Sequence, residues 1–188
     1  MKKTFWTLCC ILALTAAVAQ KKDQLGGYFL LQGQLLHVDP YNQQESAAGS
    51  TEVIVYQGEE IYVVFDSKST GKYEFYLPIG HLYTITYGGK QFVNKKVIVD
   101  ATTSPREKKP RTMRLDIGLF TPVEGFTFTS LQQPFVKIAY NKEYDDFVPD
   151  FDHTEQMMRL LDKDLKAAKK SRSKAGKPSK PAPSEENK

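Results

Sequence analysis

Cysteine is nearly absent from this chain, and so is histidine. Both of its two cysteines, Cys9 and Cys10, lie within the first nineteen residues. That segment reads as a signal peptide. Lys2 and Lys3 form a positive start, Phe5 to Leu14 an apolar stretch, and Ala17-Val18-Ala19 a small-residue cleavage site before Gln20. The apolar stretch is too short for a comfortable membrane anchor, which needs roughly 20 apolar residues. Neither cysteine follows the small residue that a lipid-modification site requires. After cleavage the chain would have no cysteine, which excludes disulfides, thiol nucleophiles and cysteine metal sites. An exported chain without a disulfide suits a bacterial envelope better than a stapled secreted domain. No later apolar run approaches membrane-spanning length, so a non-transmembrane protein is expected.

The three histidines, His37, His81 and His153, are far apart and show no metal-ligand spacing. There is no G-x-S-x-G, no H-E-x-x-H and no phosphate-cradling glycine loop. No catalytic residue and no cofactor is assigned from the sequence, and a non-enzyme is expected.

Charge is present but unevenly placed. Residues 162–188 hold nine Lys or Arg against four acids, whereas 20–161 is mildly acidic. The domain is therefore expected to carry a basic tail rather than a basic binding face. From Lys169 the chain becomes KKSRSKAGKPSKPAPSEENK, a composition that cannot bury enough apolar surface to order itself. The tail reads first as a solvated end, then as a contact for anionic envelope polymers or lipid headgroups. Nucleic acid is not expected: export removes the chain from it, and no aromatics interleave with the lysines.

Between lead-in and tail the chain reads as β. After the linker 20–27, strand candidates are 28–36, 51–57, 60–65, 72–77, 82–87, 91–99 and 112–120, rich in Val, Ile, Tyr, Phe and Thr. Turn residues separate them: Gln57-Gly58-Glu59, Ser69-Thr70-Gly71, Pro78 with Gly80, and Gly88-Gly89-Lys90. Period two places Tyr73, Phe75 and Leu77 on one face, and Tyr83, Ile85 and Tyr87 on one face of the next strand. These stripes read as core, with a carbohydrate-stacking platform as the functional alternative. Residues 53–56 and 61–65 are apolar on both faces, so a partner or the C-terminal extension is expected over the second face.

The extension, 121–168, holds further strand candidates at 135–140 and 146–148, then a helix. Asp152 is the expected N-cap, with Glu155 as its capping-box partner. Met157, Met158, Leu161, Leu165 and Ala168 recur at helical spacing. The densest chemistry is EYDDFVPDFDH at 143–153. Its Asp145, Asp146, Asp150 and Asp152 are weak calcium-ligand candidates, because they lack the alternating order and the spaced bidentate glutamate of a calcium loop.

Gly33, then AAGSTEVIVY (47–56), then Asp66 with Gly71, Lys72, Tyr73 and Phe75, then LPIGHLYTITY (77–87) and KKVIVD (95–100), together resemble the carboxypeptidase regulatory-like family. The resemblance implies a prealbumin-like, or transthyretin-like, seven-stranded antiparallel β-sandwich over 28–120. Such domains are usually non-catalytic modules of envelope proteins. The active-site histidines and Tyr-Arg-Gly-Ser ending of the transthyretin-like hydrolases do not occur here. The first-strand lysine of isopeptide-bonded adhesin sandwiches is also missing. The extension resembles those of envelope proteins of gliding-type Gram-negative bacteria. The resemblance implies an exported docking or structural module, in the periplasm or at the outer membrane, that binds an envelope protein or complex. Binding of a glycan or anionic polymer by sheet-face tyrosines and the tail is the alternative.

Overall fold

The computed structural model describes residues 27–102 and 110–175. The expected signal peptide, most of the linker and residues 176–188 of the expected tail lie outside them. The described chain is mostly β, with eleven strands in two mixed sheets and one C-terminal helix.

The first sheet is built around β1 (Tyr28–Val38), the longest strand. It pairs antiparallel with β2 (Glu45–Ala47) and β5 (Lys72–Pro78). It also pairs parallel with β8 (Arg111–Arg114) and β9 (Ile117–Leu119). The second sheet has the order β11–β10–β7–β6–β3–β4. Its members are β3 (Glu52–Gln57), β4 (Glu60–Asp66), β6 (Leu82–Gly88), β7 (Lys95–Asp100), β10 (Pro134–Asn141) and β11 (Asp146–Pro149). β10 lies parallel to β7, and the other pairings in this sheet are antiparallel.

Three particulars differ from the pattern read in the sequence. The run 112–120 is two strands, because Leu115 and Asp116 interrupt it. Its register on β1 nevertheless continues unbroken, from Phe29↔Arg111 to Leu35↔Ile117. At the interruption the Asp116 carboxylate accepts the Gln34 N–H at 2.9 Å, and Leu115 N–H donates to the Gln32 carbonyl. Gly33 is required there: a Cβ would lie 2.0 Å from the Leu115 oxygen. The run 91–99 shortens to β7, its first residues forming a turn after β6. Parallel pairings replace the all-antiparallel arrangement because the β8–β9 run and β10 return to their neighbours by crossovers rather than hairpins.

β5 and β6, joined through Pro78 and Gly80, belong to opposite sheets. Their aromatic stripes therefore face each other across the core instead of sharing a surface. Tyr73 and Tyr87 have ring centroids 5.3 Å apart, and the hydroxyl of Tyr73 donates to the Leu115 carbonyl at 2.6 Å. Tyr73, Phe75, Leu77, Tyr83, Ile85 and Tyr87 are all buried. The stripes are core, and a stacking platform cannot be made from them.

The extension is woven into the second sheet through β10 and β11. Phe147 packs against Phe29 with ring centroids 4.6 Å apart and planes tilted, joining the edge hairpin to β1. Helix α1 (Phe151–Ala175) follows directly. Its cap is Asp150 rather than Asp152. The Asp150 carboxylate accepts the His153 N–H at 2.9 Å, and its carbonyl accepts that of Thr154. Glu155 pairs with Arg159 at 3.3 Å instead of closing a capping box. The helix continues seven residues past Ala168, into the stretch expected to be a disordered tail, because 169–175 contains no Gly or Pro to stop it. Its apolar stripe, Met157, Leu161, Leu165 and Ala168, is buried against β10 and the 3-10 turn Thr129–Gln132.

Candidate functional site

The acidic segment is the first place to look, and each of its carboxylates already has work or stands apart. Asp145 accepts from Arg111 Nη2 at 2.8 Å and from the Tyr140 hydroxyl at 2.7 Å. That contact raises the Arg111 pKa. It also adopts a left-handed backbone, φ 49°, at the β10–β11 turn. Asp146 accepts the Phe147 N–H at 2.8 Å. Asp150 caps α1, and Asp152 is exposed in the first turn of that helix. Among the described residues no three His, Cys, Asp or Glu side chains gather at a spacing that would hold a metal ion. Asp145, Asp146 and Asp150 are thus engaged in hydrogen bonds within the fold, and Asp152 is not gathered with them.

The histidines are equally dispersed. His37 packs on Phe92 with centroids 5.6 Å apart. His81 sits beyond β5, its Nδ1 3.1 Å from the Gln57 amide. His153 Nε2 lies 2.7 Å from the Pro134 carbonyl oxygen, so that nitrogen carries the proton. An acid–base pair of His81 with Asp66 is ruled out by placement. Gln57, which His81 meets, ends β3 next to Glu60, whereas Asp66 pairs with Glu52 at the other end of that strand.

One buried amine belongs to no motif. Lys95 is 4% exposed and has no carboxylate partner among the described residues. Its amine lies over the ring of Phe135, 4.1 Å from the centroid, and 5.5 Å from that of Phe120. Burial pulls its pKa down from 10.5 to about 8. The signal was in the period-two pattern: Lys95 shares its parity with Val97 and Val99, which face the core.

The surface itself is more informative. Register places Ile54 beside Val64 and Thr86, and Tyr56 beside Ile61 and Thr84. Thr84 is in turn beside Ile98, and Leu82 beside Asp100. These residues form the outer face of the second sheet, opposite the buried set Val53, Val55, Tyr83, Ile85, Val97 and Val99. On it Ile61 is 61% exposed, Val64 50% and Leu82 45%. Farther along, Leu82, Ile98, Lys137, Ala139, Val148 and Pro149 line a depression of about 470 Å³. Helix α1 leaves this face open, its apolar stripe being spent on the 3-10 turn and β10. The first sheet offers a smaller and more polar recess, about 230 Å³, among Gln32, Gln34, Lys68, Lys72 and Arg114. Arg114 there is paired with Asp116 at 3.2 Å.

No family model matches the chain. No curated protein matches it either. Among solved structures it is similar to catechol 1,2-dioxygenase from Acinetobacter sp. ADP1, inhibited by bound mercury. The likeness has 11% identity and a TM-score of 0.34, covering 55% of this chain and 56% of that one. A likeness of this size carries no argument about fold or activity.

Proposed function

We propose that the protein is an exported, non-enzymatic docking module of a bacterial cell envelope, built on a prealbumin-like sandwich and engaged by a protein partner. The observation that carries this reading is the open outer face of the second sheet, where Ile61, Val64 and Leu82 are exposed beside Ile54, Tyr56 and Ile98. Both faces of β3 and β4 are apolar, yet only the inner one is covered among the described residues. Clustered exposed apolar residues on a sheet mark an interaction surface more often than an accident of composition. The scattered histidines and occupied carboxylates support the non-enzymatic part.

No helix of the described residues is long and apolar enough to cross a membrane. Export rests on the reading of residues 1–19.

The test is co-purification of the chain from its native host, tagged after residue 19 and gently crosslinked, with and without residues 176–188. A stoichiometric envelope protein that persists without those residues is expected. Recovery of only glycan or lipid, lost with the tail, would replace this reading by polymer binding.

A further inference from the structure

β4 ends the second sheet: it pairs with β3 on one side and with no described strand on the other. Natural edges of this kind are usually blunted by lysine or proline, by a bulge that turns part of the strand away, or by a covering loop. β4 reads Glu-Ile-Tyr-Val-Val-Phe-Asp and contains neither residue. A register shift opposite Tyr56 bends its first half, while Val63 to Asp66 stay in regular pairing.

The unpaired backbone groups can be located. Ser67 N–H donates to the Thr51 carbonyl at 2.9 Å. Hydrogen-bonded and non-bonded pairs alternate along an antiparallel ladder. Phe65 and Val63 therefore bond to β3, and the N–H and C=O of Val64 and Asp66 point to the open side. An extended segment laid there would find main-chain partners and, on the outer face, the side chains of Ile61 and Val64.

Charge selects the segment. Glu59 and Glu60 precede the apolar run and Asp66 ends it, directly opposite Glu52. None of these four makes an ion pair among the described residues. Like charges facing each other across a ladder are unfavourable, so a cation set beside Glu52 and Asp66 would be favoured there. A depression of about 210 Å³ lies beside them, with Gly89, Lys90 and Phe92 on its walls. Lys90 bridges neither acid. A second copy paired about Val63 would be a poor occupant, because that register would set Glu60 against Asp66 at both ends.

We propose that β4 accepts, as an added seventh strand of this sheet, an extended segment of a partner protein whose alternating apolar residues are bracketed by Lys or Arg. This rests on the docking reading above and names its surface and the partner's chemistry. Main-chain bonds would supply affinity and the flanking charges register.

The experiment places a photo-crosslinking phenylalanine derivative at Ile61, and in a second chain at Leu82, in the full protein in its native host. Crosslinked peptides are identified by mass spectrometry. The Ile61 probe is repeated with Val64→Pro and with the pair Glu52→Lys, Asp66→Lys. Proline at an edge position whose N–H faces outward leaves the ladder intact. If Val64→Pro nevertheless unfolds by circular dichroism, the charge-reversed pair decides, since both side chains are exposed. The expected result is one segment of another protein, apolar in alternation with basic residues at its ends, its yield falling at least tenfold in each folded variant. Undiminished yield, a segment without basic ends, or a crosslink to a second copy of this chain overturns the edge proposal. A protein captured at Leu82 but not at Ile61 also overturns it, while leaving the docking reading standing. No protein at either position removes both.

Discussion

Lys95 is the residue whose chemistry is most out of place. A buried ammonium without a carboxylate is costly, so the fold favours its neutral form, and two phenylalanine rings offset part of the cost when it is charged. Its folded pKa of about 8 lies below the usual 10.5, so between those values the unfolded chain binds more protons. Stability should therefore rise with pH across that window, by up to about 3 kcal/mol. Burial acts in the opposite direction on the phenols of Tyr73 and Tyr87, pushing both well above 10. The stability they contribute is complete below pH 10 and is lost above it. Urea unfolding at a series of pH values should show a rise from 8 towards 10 and a fall beyond. Lys95→Met should abolish the rise while leaving the fall. A second residue-scale test is Asp145→Ala. It strips Arg111 of its carboxylate and Tyr140 of its acceptor, leaving a nearly buried guanidinium unpaired. A loss of about 2–3 kcal/mol is expected by the same measurement, discounted because Asp145 is itself partly exposed.

Elements are joined by contacts that no local pattern announces. The Asp164 carboxylate, midway along α1, accepts from the Thr129 hydroxyl at 3.0 Å. It also accepts from the Ser130 N–H at 2.8 Å and the Ser130 hydroxyl at 2.7 Å. It therefore docks the helix onto the 3-10 turn. Asp164→Ala should cost about 2–3 kcal/mol, since it leaves the nearly buried Ser130 donors unsatisfied. Hydrogen exchange should then quicken in α1 and the 3-10 turn before it does in β3 or β6. In sequence Asp164 is one more acid on a charged helix, and its partners are 34 and 35 residues away. The same limit explains what else was hidden. Strand positions were legible because period two and turn glycines are local, and Gly71 does adopt φ 77°. Pairing was not legible, because Pro78 and Gly80 are equally compatible with a hairpin and with an arch between two sheets. The cap was misplaced by two residues because Asp150 and Asp152 both stand at the start of the helical stripe. The bonds that His153 and Thr154 donate to Asp150 separate them.

For the whole molecule, the boundary expected at residue 120 is the assignment most open to test. β10 lies alongside β7 in continuous sheet, and Phe147 reaches Phe29 in the first strand. The extension also supplies buried Phe135, Val136, Ile138, Met157, Leu161 and Leu165 to the same cluster as the buried residues of β1 to β9. Cutting the chain after Phe120 would turn β7 from an interior strand into an edge and strip the cover from Lys95 and Phe120. A chain of residues 20–120 is therefore expected to lose cooperative unfolding and to expose apolar surface, read as a broad thermal transition with dye binding. A chain of residues 20–175 should keep one sharp transition. If 20–120 instead unfolds sharply, the extension is an appendage, and the open face of the second sheet, which runs through β10 and β11, would be two surfaces rather than one. Integration has a functional corollary. A partner seated on that face would touch strands from both ends of the chain, so its binding would report on the folding of the whole and not of the first 120 residues alone.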